Sequence, residues 1–195
     1  MGKILVLYYS SGGTTKQLAK LIARGVEDQD VETIIRTVPK ISATTEATED
    51  SIPTDGDCYV TQQELSECIG LAVGSPTRFG NMAAPLKYFI DQTSNLWMNG
   101  ELAGKPVTFF SSSSSLHGGQ ESTLLTMMIP FLHHGMLVSG IPFNETALLH
   151  TETGGTPYGV THWSGLENNK PISGAEKKLA IAQGKRLANL AIKLK

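Results

Sequence analysis

The fold is decided by residues 4–15, which read ILVLYYSSGGTT. The apolar run from Ile4 to Tyr9 contains β-branched residues and no polar alternation, which is typical of a strand buried on both faces. A polar turn with two glycines follows at once, and beyond it apolar residues recur at helical spacing from Leu18 to Val26. The sequence therefore predicts a strand, a tight turn and a helix in direct succession.

Strands and helices continue to alternate along the rest of the chain. Further strands are predicted over 31–38, 69–74, 107–112 and 136–141. Helices are predicted around 82–90, with Pro85 tolerated early, and over 121–134, where Pro130 is expected to kink or end the helix. The last helix opens with a capping box formed by Ser173 and Glu176. This order predicts an α/β fold: a doubly wound, five-stranded parallel sheet with helices on both faces.

The chain has 195 residues, which is enough for one substantial hydrophobic core but small for two full domains. Two long stretches fall outside the alternating pattern. We therefore expect a single domain over residues 1–195, with long insertions near 39–68 and 144–172. Loops of that length in a compact domain are usually functional, so we expect them to build subunit contacts and a pocket wall.

Charge and composition exclude several classes of protein. The net charge of −2 offers no basic excess for nucleic acid. The sequence contains no stretch of 18 apolar residues, the length that a membrane span requires, and no signal-peptide core. We therefore expect a cytoplasmic protein. The two cysteines signal neither a metal site nor a disulfide framework.

Charged residues are also unevenly distributed. Residues 41–77 hold seven acidic side chains and no basic one, whereas residues 170–195 hold seven basic side chains and one acidic. Such runs are either solvated faces or surfaces that meet between subunits.

Three polar loops each follow a predicted strand: loop 1 (residues 10–15), loop 2 (residues 75–82) and loop 3 (residues 111–119). The carboxyl ends of parallel strands share one edge of the sheet, and ligands bind in the crevice there. We therefore expect the three loops to lie close together.

Loop 1 has the chemistry of a phosphate site. It offers hydroxyl groups and the backbone N–H groups around Gly12 and Gly13, and it opens a helix whose N-terminus is electropositive. It lacks the lysine of a nucleoside-triphosphate loop and the three-glycine dinucleotide pattern. A single phosphate monoester is favoured, and an ordinary glycine–serine turn is the alternative.

Loops 2 and 3 suit a flat ring that accepts hydrogen bonds. Phe79 can pack against such a ring, and loop 3 adds backbone amides and the imidazole of His117. Trp97 is a further large aromatic residue in a polar segment. The alternative for Phe79 and Trp97 is a place in the core, where lone aromatic residues are more often found.

Several motifs together resemble a known family. Loop 1 resembles the phosphate loop of flavodoxins, which bind FMN. Longer stretches are similar to WrbA-type NAD(P)H:quinone oxidoreductases, and these stretches are GSPTRFGNM at 74–82, DQT at 91–93, LW at 96–97, HGGQE at 117–121, HHGM at 133–136 and GGTPYG at 154–159. Their order and spacing extend the resemblance along essentially the whole chain.

The resemblance implies noncovalently bound FMN, NADH or NADPH as electron donor, and two-electron reduction of quinones to hydroquinones. By motif position, FMN would contact Ser10, Ser11, Gly12, Gly13, Thr14 and Thr15 in loop 1; Pro76, Thr77, Arg78, Phe79 and Gly80 in loop 2; and Ser112, Ser113, Ser114, Ser115, Leu116, His117 and Gly118 in loop 3. One pocket would serve the nicotinamide and the quinone in turn.

The resemblance also places three side chains at the substrate pocket. Phe79 and Trp97 would line it, and Trp97 would come from a neighbouring subunit, because the family forms dimers and tetramers. His134 would lie close to the flavin ring, where an imidazole can donate a proton or a hydrogen bond to the quinone. Its alternative role is to cap the helix before Gly135.

The chain departs from the family at two positions. Many members carry an aromatic residue or His where Gly12 stands, and a glycine where Ser114 stands. Neither change removes a phosphate ligand, so we expect FMN binding to be retained. The preference for NADH or NADPH is not predicted.

Two other functions remain as alternatives. A flavodoxin-like electron carrier would dock to redox partners, but such carriers tend to be strongly acidic, and a net charge of −2 argues against it. A regulatory binding module has no support in the composition.

Overall fold

A computed structural model describes residues 2–42 and 49–195. The strands of this part of the chain are β1 (Ile4–Tyr8), β2 (Thr33–Thr37), β3 (Gly70–Pro76), β4 (Pro106–Ser113), β5 (Leu137–Val138) and β6 (Val160–Trp163). Its helices are α1 (Thr14–Glu27), α2 (Gln62–Glu67), α3 (Ala84–Asp91), α4 (Ser94–Met98), α5 (Gln120–His133), α6 (Thr146–His150) and α7 (Gly174–Leu194).

The strands form one parallel sheet in the order β2-β1-β3-β4-β5, with β6 also paired to β4. The predicted α/β fold class, a flavodoxin-like doubly wound sheet, is confirmed. Every residue of β1, β3 and β4 is buried, as their apolar runs predict. The chain passes from β1 outward to β2 and then returns to β3 on the other side of β1. This reversal is the topological switch point, where a crevice opens at the carboxyl edge.

Helices cover both faces of the sheet. The core on one face contains Leu18 and Ile22 of α1 together with Leu187 of α7. The core on the other face contains Leu86 of α3 and Phe131 of α5. These two layers hold the strands rigidly, so the loops at the carboxyl edge start from fixed points.

The fifth position of the sheet is shared by two strands. β5 pairs with the amino half of β4 at Pro106 and Val107, and β6 pairs with its carboxyl half from Phe110 to Ser113. The strand predicted over 136–141 is therefore shorter than expected. After Ser139 the chain turns away from β4, and the N–H of Ile141 bonds to the carbonyl of Pro157 instead.

Of the two outcomes predicted for Pro130, a kink or the end of the helix, the structure excludes the second. α5 runs through Pro130 and ends at His133, and Gly135 just beyond it has a φ of 78°, the left-handed conformation that glycine adopts freely. Proline removes one intrahelical hydrogen bond, and the buried packing of Phe131 stabilises the last turn around it.

The two predicted insertions contain secondary structure of their own. The 39–68 stretch holds α2, and its residues 43–48 lie outside the described part of the chain. The 144–172 stretch holds α6 and β6. Within the described residues, no helix is both long and apolar enough to cross a membrane.

Candidate functional site

Loops 1, 2 and 3 meet at the edge of the sheet where β1, β3 and β4 end. Arg78 of loop 2 donates a hydrogen bond from Nη2 to Ser11 Oγ in loop 1 (3.1 Å). The N–H of Thr77 in loop 2 donates to the carbonyl of Ser112 in loop 3 (2.9 Å). The structure therefore brings the predicted residues of all three loops to one place.

α1 begins in loop 1 with an open N-terminus. Its N-cap is Gly13, with φ 85° and no capping side chain, and the first turn contains no acidic residue. The N–H groups of Thr14, Thr15 and Lys16 find no acceptor elsewhere in the described chain. Because the N-terminus of a helix is electropositive, this arrangement suits an anion supplied from outside.

Three of the predicted hydroxyl ligands bond to one another beneath loop 1. Thr14 Oγ1 donates to Ser112 Oγ (3.2 Å), and Thr15 Oγ1 lies 2.9 Å from the same oxygen. All three side chains are buried. They join loop 1 to loop 3, which leaves Ser10, Ser11 and the backbone N–H groups as the exposed donors.

Loop 2 holds an aromatic side chain in a strained, exposed position. Arg78 and Asn81 exchange two backbone hydrogen bonds (2.8 and 3.0 Å), and the tight turn between them gives Phe79 a φ of 53°. The Phe79 side chain is fully exposed. Because non-glycine residues rarely adopt positive φ, strain of this kind is concentrated at functional sites.

Loops 2 and 3 pack closely behind this turn. A Cβ added to Gly119, whose φ is 91°, would lie 3.0 Å from Gly80 Cα, so only glycine allows this approach. Thr123 Oγ1 donates to Thr77 Oγ1 (2.8 Å) at the same place. The predicted residues His117 and Ser114 are exposed on loop 3.

One buried residue that supports the site was not predicted. Gln120, at the start of α5, donates from Nε2 to Ser113 Oγ (2.8 Å), and its Oε1 accepts from Thr161 Oγ1 (2.6 Å). It thereby fixes loop 3 to β6. A glutamine directly after two glycines and before an apolar helix was the available signal.

Trp97, His133 and His134 lie at the opposite edge of the sheet from the three loops. α5 starts beside loop 3 and ends near the beginning of β4, about 20 Å away for its 14 residues. There, Trp97 stacks on His133 with ring centroids 5.3 Å apart, and its Nε1 donates to the His133 carbonyl (3.0 Å). Within one chain, the structure does not bring Trp97 or His134 to the three loops.

The imidazole of His134 is buried and bonds to Thr93. Thr93 Oγ1 donates to the carbonyl of Ile90 (2.7 Å), so it accepts from Nε2–H of His134 (2.9 Å). Nδ1 has no partner in the described chain. Burial lowers the pKa of His134, and the charge of the neighbouring His133 lowers it further. His134 is the C-cap residue of α5 through its backbone, whereas its imidazole faces Thr93 and not the carbonyls at the end of the helix.

Cavity size alone does not locate the site. A groove of about 610 Å³ lies along α7, away from the loops, and its lining includes four basic side chains of that helix. Two smaller cavities adjoin the carboxyl edge, one of about 410 Å³ beside loop 1 and one of about 550 Å³ between Tyr9 and Arg78. The open α1 N-terminus, with its unpaired donors, makes the carboxyl edge the candidate site.

The edge can therefore hold a phosphate ester that carries a flat ring. The ester fits loop 1, where the exposed donors are hydroxyl and backbone N–H groups and no carboxylate stands in the first turn of α1. The ring fits between loops 2 and 3, beside the exposed Phe79.

Comparison with known families matches most of the chain. Residues 2–145 match the sequence model of the family described as NADPH-dependent FMN reductase.

Comparison with solved structures shows the same fold. The flavodoxin, WrbA-like protein from Agrobacterium tumefaciens is 20% identical, covers 100% of both chains and has a TM-score of 0.67. A flavodoxin from the domain Archaea is 19% identical over 97% of this chain and 99% of its own, with a TM-score of 0.65. A flavone reductase is 11% identical over 97% of this chain and 63% of its own, with a TM-score of 0.65.

Proposed function

Because the chain belongs to the NADPH-dependent FMN reductase family, we propose that it is an FMN-dependent NAD(P)H:quinone oxidoreductase that reduces quinones by two electrons to hydroquinones. The observation that carries this proposal is the open N-terminus of α1 at the meeting point of three loops. The motifs at 74–82 and 117–121 support the quinone as acceptor.

FMN fits the residues of the carboxyl edge. Loop 1 would hold its phosphate through the N–H groups at the start of α1 and the hydroxyls of Ser10 and Ser11. Loops 2 and 3 would hold its ring through their backbone amides. The chemistry that bound FMN supplies is two-electron transfer between a nicotinamide and a quinone.

Side chains of loop 2 would shape the space in which the substrates bind. The Phe79 side chain projects into solvent and offers an apolar surface to a planar substrate. Arg78 is fixed by its bonds to Ser11 and to the carbonyl of Thr77, so its cationic group stays beside loop 1. There it would add positive charge for a phosphate group.

A second copy of the chain would complete the pocket. α4 and α5 expose an apolar face whose members are Trp97, Met98, Leu125, Ile129 and Leu132. Contiguous exposed apolar residues of this kind mark interfaces between proteins. We infer that this α4–α5 face packs against another copy and brings Trp97 to the partner's loops. A monomer in sedimentation at micromolar concentration would contradict this inference.

Anaerobic reduction of the FMN-loaded protein tests the proposed function. NADPH or NADH should bleach the yellow flavin absorption, and benzoquinone should restore it with one hydroquinone formed per nucleotide oxidised. Failure of either half-reaction would contradict the proposal. Accumulation of a stable one-electron-reduced form would instead indicate an electron carrier.

The family description favours a second candidate, in which free FMN is a substrate rather than a resident cofactor. Gel filtration after turnover separates the two. FMN that co-elutes with the protein, and quinone reduction without added flavin, would support the resident cofactor. Flavin that leaves at each turnover would support the reductase of free FMN.

A further inference from the structure

A segment at the end of the 144–172 insertion crosses the site from loop 3 to loop 1. This segment, residues 164–172, follows β6 and leads to α7. At its start, the N–H of Ser164 donates to the carbonyl of Ser113 (2.8 Å), and the preceding Trp163 donates from Nε1 to the carbonyl of Ser114 (3.0 Å). One end of the 164–172 segment is therefore fixed to loop 3.

The middle of the segment reaches loop 1 through Asn168. Its Nδ2 donates to the carbonyl of Gly12 (3.0 Å). A Cβ added to Gly12 would overlap this amide group, so the contact needs the glycine. Asn168 itself has a φ of 54°, a left-handed conformation that asparagine tolerates better than most residues.

The far end of the segment is held independently of loop 1. The N–H of Lys170 donates to the carbonyl of Ser164 (2.9 Å), and Lys170 Nζ lies 3.0 Å from the centre of the Trp163 ring. The carbonyl of Lys170 also lies 3.2 Å from Nε2 of the buried His162. Loss of the Asn168 contact would therefore free the crossing without unfolding its base.

We propose that Asn168 is a positioning residue that holds the 164–172 segment across loops 1 and 3 and slows the release of FMN. The inference rests on the proposed binding of FMN at this edge. A phosphate ester at the open N-terminus of α1 would be held by loop 1, the same loop that Asn168 contacts at Gly12. Release requires loop 1 to let go of the phosphate, and the Asn168–Gly12 hydrogen bond opposes movement of loop 1.

The rate of FMN release tests the proposal, measured by diluting the FMN-loaded protein into an excess of an unrelated FMN-binding apoprotein. The variant Asn168→Gly keeps the left-handed backbone and removes the amide, so FMN should leave about fivefold faster. The matched control is Asn169→Gly, since Asn169 bonds to Glu167 and not to loop 1. Its release rate should equal that of the wild type.

A second variant disrupts the Asn168–Gly12 hydrogen bond by changing Gly12. Gly12→Ala should displace the Asn168 amide and speed release to a similar extent, because Gly12 does not have positive φ and the clash is with a side-chain end. The double variant should release FMN no faster than Asn168→Gly alone. Rates that multiply in the double variant, or wild-type release from Asn168→Gly, would overturn the proposal.

The outcome also separates this inference from the proposed function. A wild-type protein that binds no FMN would overturn both. A wild-type protein that binds FMN and reduces quinones, while Asn168→Gly releases FMN at the same rate, would overturn only the role of Asn168. Equal thermal unfolding of the two glycine variants would show that a change in release rate is not a folding defect.

Discussion

The N-termini of α1 and α7 are built in opposite ways. α7 is closed by its own residues: Ser173 Oγ accepts from the N–H of Glu176 (3.2 Å), and Glu176 returns the contact by accepting from the N–H of Ser173 (2.7 Å). α1 starts at Gly13, with no capping side chain and no acidic residue in its first turn. Both helices pack on the same face of the sheet.

The N-terminus of α7 is therefore structural, whereas the N-terminus of α1 is available to a ligand. At α7 a buried carboxylate, itself bonded to His162, satisfies the positive end of the helix permanently. At α1 the positive end of the helix has no negatively charged partner in its first turn, and a phosphate bound in loop 1 would supply one. Changes at the two ends should therefore affect different properties.

The largest expected effect is the loss of stability when the closed end is broken. Glu176→Gln removes the charge that faces His162 at 3.0 Å, where both side chains are 1% exposed. We expect the free energy of unfolding to fall by about 3 kcal/mol in urea titration. The control is Glu64→Gln in the half-exposed capping box of α2, which should cost about 1 kcal/mol. Equal losses would contradict the special role of the buried carboxylate.

The same carboxylate predicts a loss of stability in acid. Burial raises the pKa of Glu176, but hydrogen bonds from His162 and the backbone outweigh it and lower the pKa from 4.5 to about 2. Since the folded pKa lies below the unfolded one, the stabilisation is complete above about pH 4.5 and is lost as the pH falls towards 2. Unfolding of the wild type should therefore become easier over that range, and Glu176→Gln should show a shallower acid slope.

Closing the open end should abolish tight FMN binding. Gly13→Asp would place a carboxylate at the start of α1, where an added Cβ meets no atom within 4 Å. We expect the Kd for FMN to rise by about 100-fold, because the carboxylate caps the helix and repels the phosphate. Gly13→Asn has a similar shape and tolerance of positive φ without the charge, so it should cost about fivefold at most. Equal effects in fluorescence titration would show that charge is not the cause.

The smallest expected effects come from single hydroxyl groups at the two ends. Ser173→Ala should lower the free energy of unfolding by about 1 kcal/mol and leave the Kd for FMN unchanged. Ser10 Oγ accepts from the N–H of Gly13 (3.0 Å), and Ser10→Ala should weaken FMN binding by about tenfold with a smaller loss of stability. If Ser173→Ala and Ser10→Ala both changed mainly the free energy of unfolding, or both mainly the Kd for FMN, the proposed difference between the two helix ends would be contradicted.

Much of this architecture could be predicted from local sequence. The apolar run of β1 and the polar turn after it predict the start of the sheet, and parallel strands bring their loops to one edge. The capping box of Ser173 and Glu176 was also visible as a short pattern. The same pattern at Thr61 and Glu64 marks the start of α2, a helix that was not predicted.

Contacts between distant parts of the chain could not be predicted in this way. β6, which lies within the 144–172 insertion, pairs with β4, and Asn168 contacts Gly12, 156 residues earlier in the chain. Burial of Glu176 against His162 depends on that same pairing. The place of His134 rested on a family resemblance, and the length of α5 puts it at the opposite edge of the sheet within one chain.

We propose that the open N-terminus of α1 holds the phosphate of FMN. Parallel titrations of the purified apoprotein with FMN and with riboflavin, which has the same ring and no phosphate, test it most directly. We expect FMN to bind about 100-fold more tightly than riboflavin, because several charge-assisted hydrogen bonds form only with the phosphate. Equal affinities for FMN and riboflavin would contradict it.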